Sequence, residues 1–133
     1  LYGDTAGALS VLGDLTKQQV YAIARAINSG TEVIPERVIT RPPSAELREN
    51  QTDQDTLPPY DILDQMVKKH IEEAIPLAQI PTFGTSLGAI EKFSKLNAIS
   101  EYKRRQLPPA LRVSSKAFGM GRRIPVVGRK PSE

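Results

Sequence analysis

Apolar residues fall at helical spacing in three places along the 133-residue chain, and each stripe is bounded by residues that start or stop a helix. Val20, Ile23, Ala24 and Ile27 share one face, with Thr16 placed to cap the segment and Gly30 to end it. Ile62, Leu63, Met66, Val67, His70, Ile71 and Ala74 make one broad apolar face after Pro58-Pro59-Tyr60. A third stripe starts at about Ser86 and turns Leu87, Ile90, Phe93, Leu96 and Ile99 inward. Two shorter helical pieces are expected. Pro35 in VIPERVI opens one, closed by Pro42-Pro43, and SEYKRRQ forms the other, which must stop before Pro108-Pro109.

The intervening segments lack such periods. Residues 40–57, TRPPSAELRENQTDQDTL, form a long polar loop, a length that in compact domains goes with function or disorder. Pro76 and Pro81 break the pattern across PLAQIPTFG. From residue 111 onward, isolated apolar residues alternate with Gly and basic residues, so the tail should be extended or disordered unless a partner holds it. There is no internal repeat and almost no convincing strand. Several apolar stripes with so little sheet to cover make an incomplete-looking domain. Together with a first residue that is Leu1 rather than Met, this favours a piece of a longer chain over a processed or trimmed small protein.

Composition narrows the class. With 39% apolar residues, three Phe, four Tyr and no Trp, the chain suffices for one modest domain and not for a large self-contained enzyme. It has no Cys, which excludes disulfides and thiolate metal sites. No apolar run reaches the roughly 20 residues of a membrane span, and LYGDTAGALS lacks the pattern of a signal peptide, so a soluble, cytoplasmic protein is expected. The net charge of +3 hides a division: residues 1–100 carry nine Lys/Arg against thirteen Asp/Glu, net −4, and residues 101–133 carry nine against two, net +7. A tail of that charge attracts polyanions, unless it is simply solvated or pairs with the acidic first hundred residues.

The chemistry available is limited. His70 is the lone histidine and sits on an apolar stripe, which favours a packed side chain over a catalytic one and excludes a triad or a His-based metal site. Asp53 and Asp55 are spaced to share a magnesium shell, although turn-forming Asp in a solvated loop is the preferred reading. Lys103-Arg104-Arg105 is a candidate anion site that could converge with the long loop on one ligand. No phosphate-binding glycine motif is present, since GMGRR at 119–123 has no strand before it and no helix after it.

Three segments in order, LYGDTAGALSVLGDLTKQQVYAIAR, IPERVITRPPSAELRENQTDQDTLPPYDILD and EYKRRQLPPALRVSSKAFGMGRRIP, resemble the NAD synthetase family, specifically the synthetase domain of its glutamine-dependent form. The middle segment is the most specific, while PLAQIPTFGTSLG departs from the family pattern. The resemblance implies an α/β parent of the Rossmann-like adenine nucleotide alpha hydrolase fold, of which this chain is a mainly α-helical part with long loops. Residues 1–112 would be the C-terminal part of the synthetase domain, with 40–57 a substrate-covering loop, and 113–133 a basic tail. The implied reaction adenylates deamido-NAD with ATP, assisted by Mg2+, and amidates it with ammonia from glutamine hydrolysed in an N-terminal portion of the same protein. Carried over residue by residue, Lys17 in LTKQQ and Ser44 in PPSAEL match ATP contacts, and Tyr102 with Lys103 in EYKRRQ match deamido-NAD contacts. No protein nucleophile is implied, so the catalytic set is empty.

This chain also departs from the family. Leu1 stands where simpler members carry a lysine before YGD, and Ala8 where they carry an aspartate. The SGGxDS pyrophosphate loop occurs nowhere in the 133 residues, so the chain by itself should be unable to catalyse the reaction. The resemblance further implies homo-oligomers, in which the basic tail could touch the amidohydrolase domain or a neighbouring subunit. The competing reading is a small basic module for nucleic acid or an acidic protein; against nucleic acid, the tail offers only Tyr102 and Phe118 for stacking.

Overall fold

The computed structural model describes residues 6–44, 48–55, 57–83 and 85–125, so the YGD motif and residues 126–133 lie outside the described part. The chain divides into two compact units, Thr16–Asp64 on the one hand and Leu1–Leu15 with Gln65–Glu133 on the other.

In the unit Thr16–Asp64, helix α1 (Lys17–Ile27) starts on a capping box. The Thr16 hydroxyl oxygen accepts from the Gln19 amide, and the Gln19 side-chain oxygen accepts from the Thr16 amide at 2.8 Å. The helix ends at Ile27, ahead of the expected stop at Gly30, because Asn28 intervenes. Its side chain donates to the Ile34 carbonyl at 2.8 Å and accepts from the Val33 and Ile34 amides, tying the helix end to the returning chain. Helix α2 (Glu36–Thr40) follows Pro35 as expected, buries Ile39 and packs against α1. The apolar stripe of α1 is less covered than its spacing suggests, since Ile23 and Ile27 are 42% and 50% exposed. The long polar loop has structure of its own: Asp53–Asp55 makes a turn of 3-10 helix, and the Asp53 amide donates to the Pro43 carbonyl at 2.9 Å.

The boundary between the units falls within α3 (Tyr60–Met66). The expected single helix through Ala74 instead widens into a π-helical segment, Val67–Glu72. Ala74 ends it with φ 57, a left-handed conformation, and the Ile75 amide reaches back to the Lys69 carbonyl at 2.9 Å. A 3-10 helix, Leu77–Phe83, follows Pro76. Helix α4 (Leu87–Ile99) starts on a Ser86 cap and is followed directly by α5 (Glu101–Gln106). Met66, Ile80, Ile90 and Phe93 form the buried core of this unit. The stripe of α4 is narrower than expected: Leu87 and Ile99 are 69% and 51% exposed. His70 packs edge-on against Phe93, 6.1 Å between ring centres, with Nδ1 3.0 Å from the Ile75 carbonyl oxygen, which fits the packed role.

Among the described residues there is no strand, only a parallel bridge between Ser10 and Ala110, with the Ser10 amide donating to the Pro109 carbonyl. No described helix is long and apolar enough to cross a membrane.

Candidate functional site

Lys17 occupies the first position of α1, where the Thr16 cap fixes the backbone and the Gln18 amide donates to the Asp64 carboxylate at 3.0 Å. Its ammonium lies 5.7 Å from the centre of the Tyr21 ring and 5.8 Å from that of Tyr60, so two aromatic faces flank one cation. The Tyr60 hydroxyl donates to the Asp53 carboxylate. Burial, reinforced by Asp53, raises the Tyr60 pKa well above that of an ordinary phenol, so the hydroxyl stays a donor at any physiological pH. Ser44 is half-buried and follows Pro43, whose carbonyl is held by Asp53. The unit thus links Lys17 and Ser44 through Tyr60, Asp53 and Pro43.

The acidic pair in the loop does not fit a magnesium shell. Asp55 accepts from the Thr52 amide and hydroxyl, both at 3.0 Å, and these bonds hold its carboxyl below the usual range; Arg48 stands 3.8 Å away. Asp53 accepts from Tyr60. Both carboxylates are spent on loop structure, and among the described residues no three His, Asp or Glu are gathered where they could hold a metal.

In the other unit, Tyr102 and Lys103 are consecutive on α5, Tyr102 45% exposed and Lys103 half-buried. Their basic neighbours are not the anion site that three adjacent charges suggested. Arg104 is buried, donates to the Glu101 carboxylate at 2.9 Å and to the Asn97 carbonyl, and Arg105 donates to the other Glu101 oxygen at 3.2 Å. Burial alone would raise the Glu101 pKa, but Arg104, Arg105 and the Ile124 amide outweigh it and hold the carboxyl below its ordinary value. Glu101 consumes two of the three charges because i, i+3 and i, i+4 positions share a helix face.

One organising residue escaped the sequence reading. Asp14 is 6% exposed and its carboxylate receives four bonds from the tail: the Val113 and Ser114 amides at 2.7 Å each, the Ser114 hydroxyl at 2.9 Å and the Phe118 amide at 2.6 Å. Desolvation opposes its charge, yet the donors of Ser114, Val113 and Phe118 prevail and lower its pKa. Arg122 lies 4.0 Å from Asp14 and 3.9 Å from Glu72, and donates to the Lys116 carbonyl at 2.7 Å. Asp14 therefore supplies, from within the chain, a hold on residues 113–118. In sequence it is indistinguishable from a turn aspartate, since its partners are 99 to 104 positions away. GMGRR belongs to this tail: Gly119 has φ 86, and a Cβ on Gly121 would stand 2.7 Å from the Ala117 nitrogen. Beside it runs a groove of about 720 Å³ whose wall includes Pro108, Arg112, Phe118 and Met120.

Comparison with known proteins gives a consistent picture. The family description NAD synthase matches residues 1–108. The glutamine-dependent NAD(+) synthetase of Aquifex aeolicus is 46% identical over 129 residues, covering 97% of this chain and 23% of the relative. That of Acinetobacter baylyi is 48% identical over 136 residues, covering 100% of this chain and 25% of the relative. The chain thus spans about a quarter of the length of these relatives. A solved structure, the glutamine-dependent NAD+ synthetase from Acinetobacter baumannii in complex with adenosine diphosphate, superposes with a TM-score of 0.51 at 40% identity, over 95% of this chain and 22% of the other.

Proposed function

The chain belongs to the NAD synthase family, and from that premise we propose that it is the C-terminal part of a glutamine-dependent NAD synthetase. What carries the reading is that similarity to enzymes of that name runs through 95% or more of the chain. The whole protein would have the Rossmann-like α/β fold of the family, with residues 1–112 in the synthetase domain, 40–57 over the reacting centre and 113–133 as a basic tail. We place it in the cytoplasm as a homo-oligomer.

In the proposed reaction a nicotinate carboxylate oxygen of deamido-NAD attacks the α-phosphorus of ATP. One P–O bond forms, the bond to the β-phosphate breaks, and pyrophosphate leaves. Ammonia from glutamine then attacks the activated carbonyl carbon, the C–O bond to AMP breaks, and the amide nitrogen sheds a proton. Such chemistry needs positioned cations and donors more than a nucleophile. Lys17 would neutralise phosphate oxygens, the Ser44 hydroxyl would donate to ATP, and Tyr102 with Lys103 would hold deamido-NAD. The family uses magnesium to assist pyrophosphate departure, and Asp53 and Asp55, bonded within their own loop, do not fit that ion.

The test is NAD formation from deamido-NAD, ATP and glutamine by the full-length polypeptide. Lys17→Ala should lower kcat/KM for ATP by about tenfold or more, the scale of a charge-assisted contact, and Ser44→Ala should act more mildly. An unaltered kcat/KM in Lys17→Ala removes the ATP role of that lysine. The 133-residue chain alone, without an SGGxDS loop, should give no turnover.

A further inference from the structure

We infer that Tyr60 is a positioning residue that couples the two proposed ATP contacts, its ring holding the Lys17 ammonium and its hydroxyl holding, through Asp53, the loop that carries Ser44. The inference rests on the ATP roles proposed for Lys17 and Ser44.

Each link is a contact of known geometry. The Tyr60 ring centre is 5.8 Å from the Lys17 ammonium, which has a second ring, Tyr21, at 5.7 Å. A lysine side chain has four rotatable bonds, and two aromatic faces reduce its wandering without neutralising it, as a carboxylate partner would. The two rings hold the cation without adding a counter-charge. The Tyr60 hydroxyl donates to Asp53, and the Asp53 amide donates to the carbonyl of Pro43, the residue before Ser44. The Leu57 amide closes the far side of this turn on the Asp53 carbonyl at 2.8 Å. Asp53 is therefore a point at which the two ends of the long loop meet, and the Tyr60 hydroxyl donates to its carboxylate. Tyr60 opens α3, so a helix supports the junction. The raised phenol pKa keeps the donor in place. The loop that carries Ser44 and the ring beside the Lys17 ammonium thus depend on one side chain.

The two halves of Tyr60 can be separated by mutation in the full-length polypeptide. Tyr60→Phe keeps the ring and removes the donor; KM for ATP should rise about tenfold, the scale of one hydrogen bond to a charged group, with a smaller change in kcat. Asp53→Asn should behave like Tyr60→Phe. Tyr60→Leu removes the ring as well and should cost a further twofold to fivefold, roughly the worth of a half-exposed cation–π contact. Coupling is read from double mutants: Ser44→Ala should add little when combined with Tyr60→Phe, and Lys17→Ala should abolish the difference between Tyr60→Phe and Tyr60→Leu. Equilibrium binding of a non-hydrolysable ATP analogue should follow the same order.

Full multiplication of the Tyr60→Phe and Ser44→Ala effects overturns the inference, as does an unaltered KM for ATP in Tyr60→Phe. So does a loss of thermal stability with kcat and KM changing alike, the mark of a merely structural residue. A failure of Lys17→Ala to affect ATP use strikes the proposed function itself and takes this inference with it. Additive Tyr60 effects beside an impaired Lys17→Ala strike only the coupling. Should Tyr60→Leu fold poorly, Tyr60→Phe and Asp53→Asn decide the matter.

Discussion

Replacing Asp14 by Asn tests whether one carboxylate orders the segment after α5. One carboxylate oxygen takes the Val113 and Ser114 amides; the other takes the Ser114 hydroxyl and the Phe118 amide. An asparagine must present its NH2 group to one of these pairs. Facing Val113 and Ser114, it strands two amide donors. Facing the other pair, it strands Phe118, while the Ser114 hydroxyl turns to accept. The second arrangement costs less and still loses one charge-assisted bond, worth about 1.5–3 kcal/mol, while weakening the rest by removing the charge. We expect about 2–4 kcal/mol less protection of the segment for Asp14→Asn, and about 3–5 kcal/mol for Asp14→Ala, the range for breaking a buried charged network.

Amide hydrogen exchange in the full-length polypeptide reads this locally. Exchange at Val113, Ser114 and Phe118 should accelerate about 30- to 1000-fold in Asp14→Asn, since about 1.4 kcal/mol is a factor of ten. Acid should imitate the mutation. The folded pKa of Asp14 is lowered, so its contribution is complete above the ordinary value of 3.8 and is lost as pH falls from there through the lowered folded value. Corrected for intrinsic exchange, the wild-type segment should begin to open below about pH 4, and Asp14→Asn should show no such step. Equal protection of the three amides in wild type and Asp14→Asn refutes the clamp.

Glu101→Gln leaves the buried Arg104 charge without its counter-ion and should cost about 3–5 kcal/mol in chemical unfolding; Arg105→Ala, removing the exposed partner, should cost under about 1 kcal/mol, and equal costs would contradict this division. Because the Glu101 pKa is also lowered, its share of stability belongs to pH above the usual carboxylate range and fades as pH falls through the lowered value. Ala74→Gly should stabilise by about 1 kcal/mol, because Ala74 is left-handed at φ 57 where glycine carries no Cβ penalty; a lowered urea midpoint would show that the Ala methyl contributes more than the strain costs.

Helix positions were legible in the sequence because caps and periods are local. Thr16 and Ser86 start helices as expected, and Pro35 and Pro108 bound others. The depth of burial was not legible. Periodicity says which face of a helix is apolar and nothing about what covers it, so Ile23, Ile27, Leu87 and Ile99 lie exposed on faces that the pattern turns inward. The π-helical segment was hidden for a related reason: a period of 3.6 fits Ile62 to Ala74 well, and the apolar pattern does not mark where the turn widens. At the site, Lys17 and Ser44 were named by resemblance. The link between them depends on Asp53 and Tyr60, which residue types alone offered as a turn aspartate and a helix start.

Charge shows most sharply how structure alters a count. The last 33 residues carry nine basic groups, and on that count the tail is a polyanion-binding surface. Glu101 sits under Arg104 and Arg105, while Asp14 and Glu72 face Arg122. Arg112 turns back on the Ser114 and Ser115 carbonyls. Four of the nine thus serve the fold of the segment itself, and three of those four face carboxylates, Asp14 and Glu72 among them from the acidic first hundred residues. A guanidinium committed to a buried carboxylate contributes little outward field, because the pair is nearly a dipole at the distance of an approaching phosphate. Part of the segment's positive charge is therefore committed to internal order, and Lys103 beside Tyr102 is the place on α5 where substrate recognition is proposed.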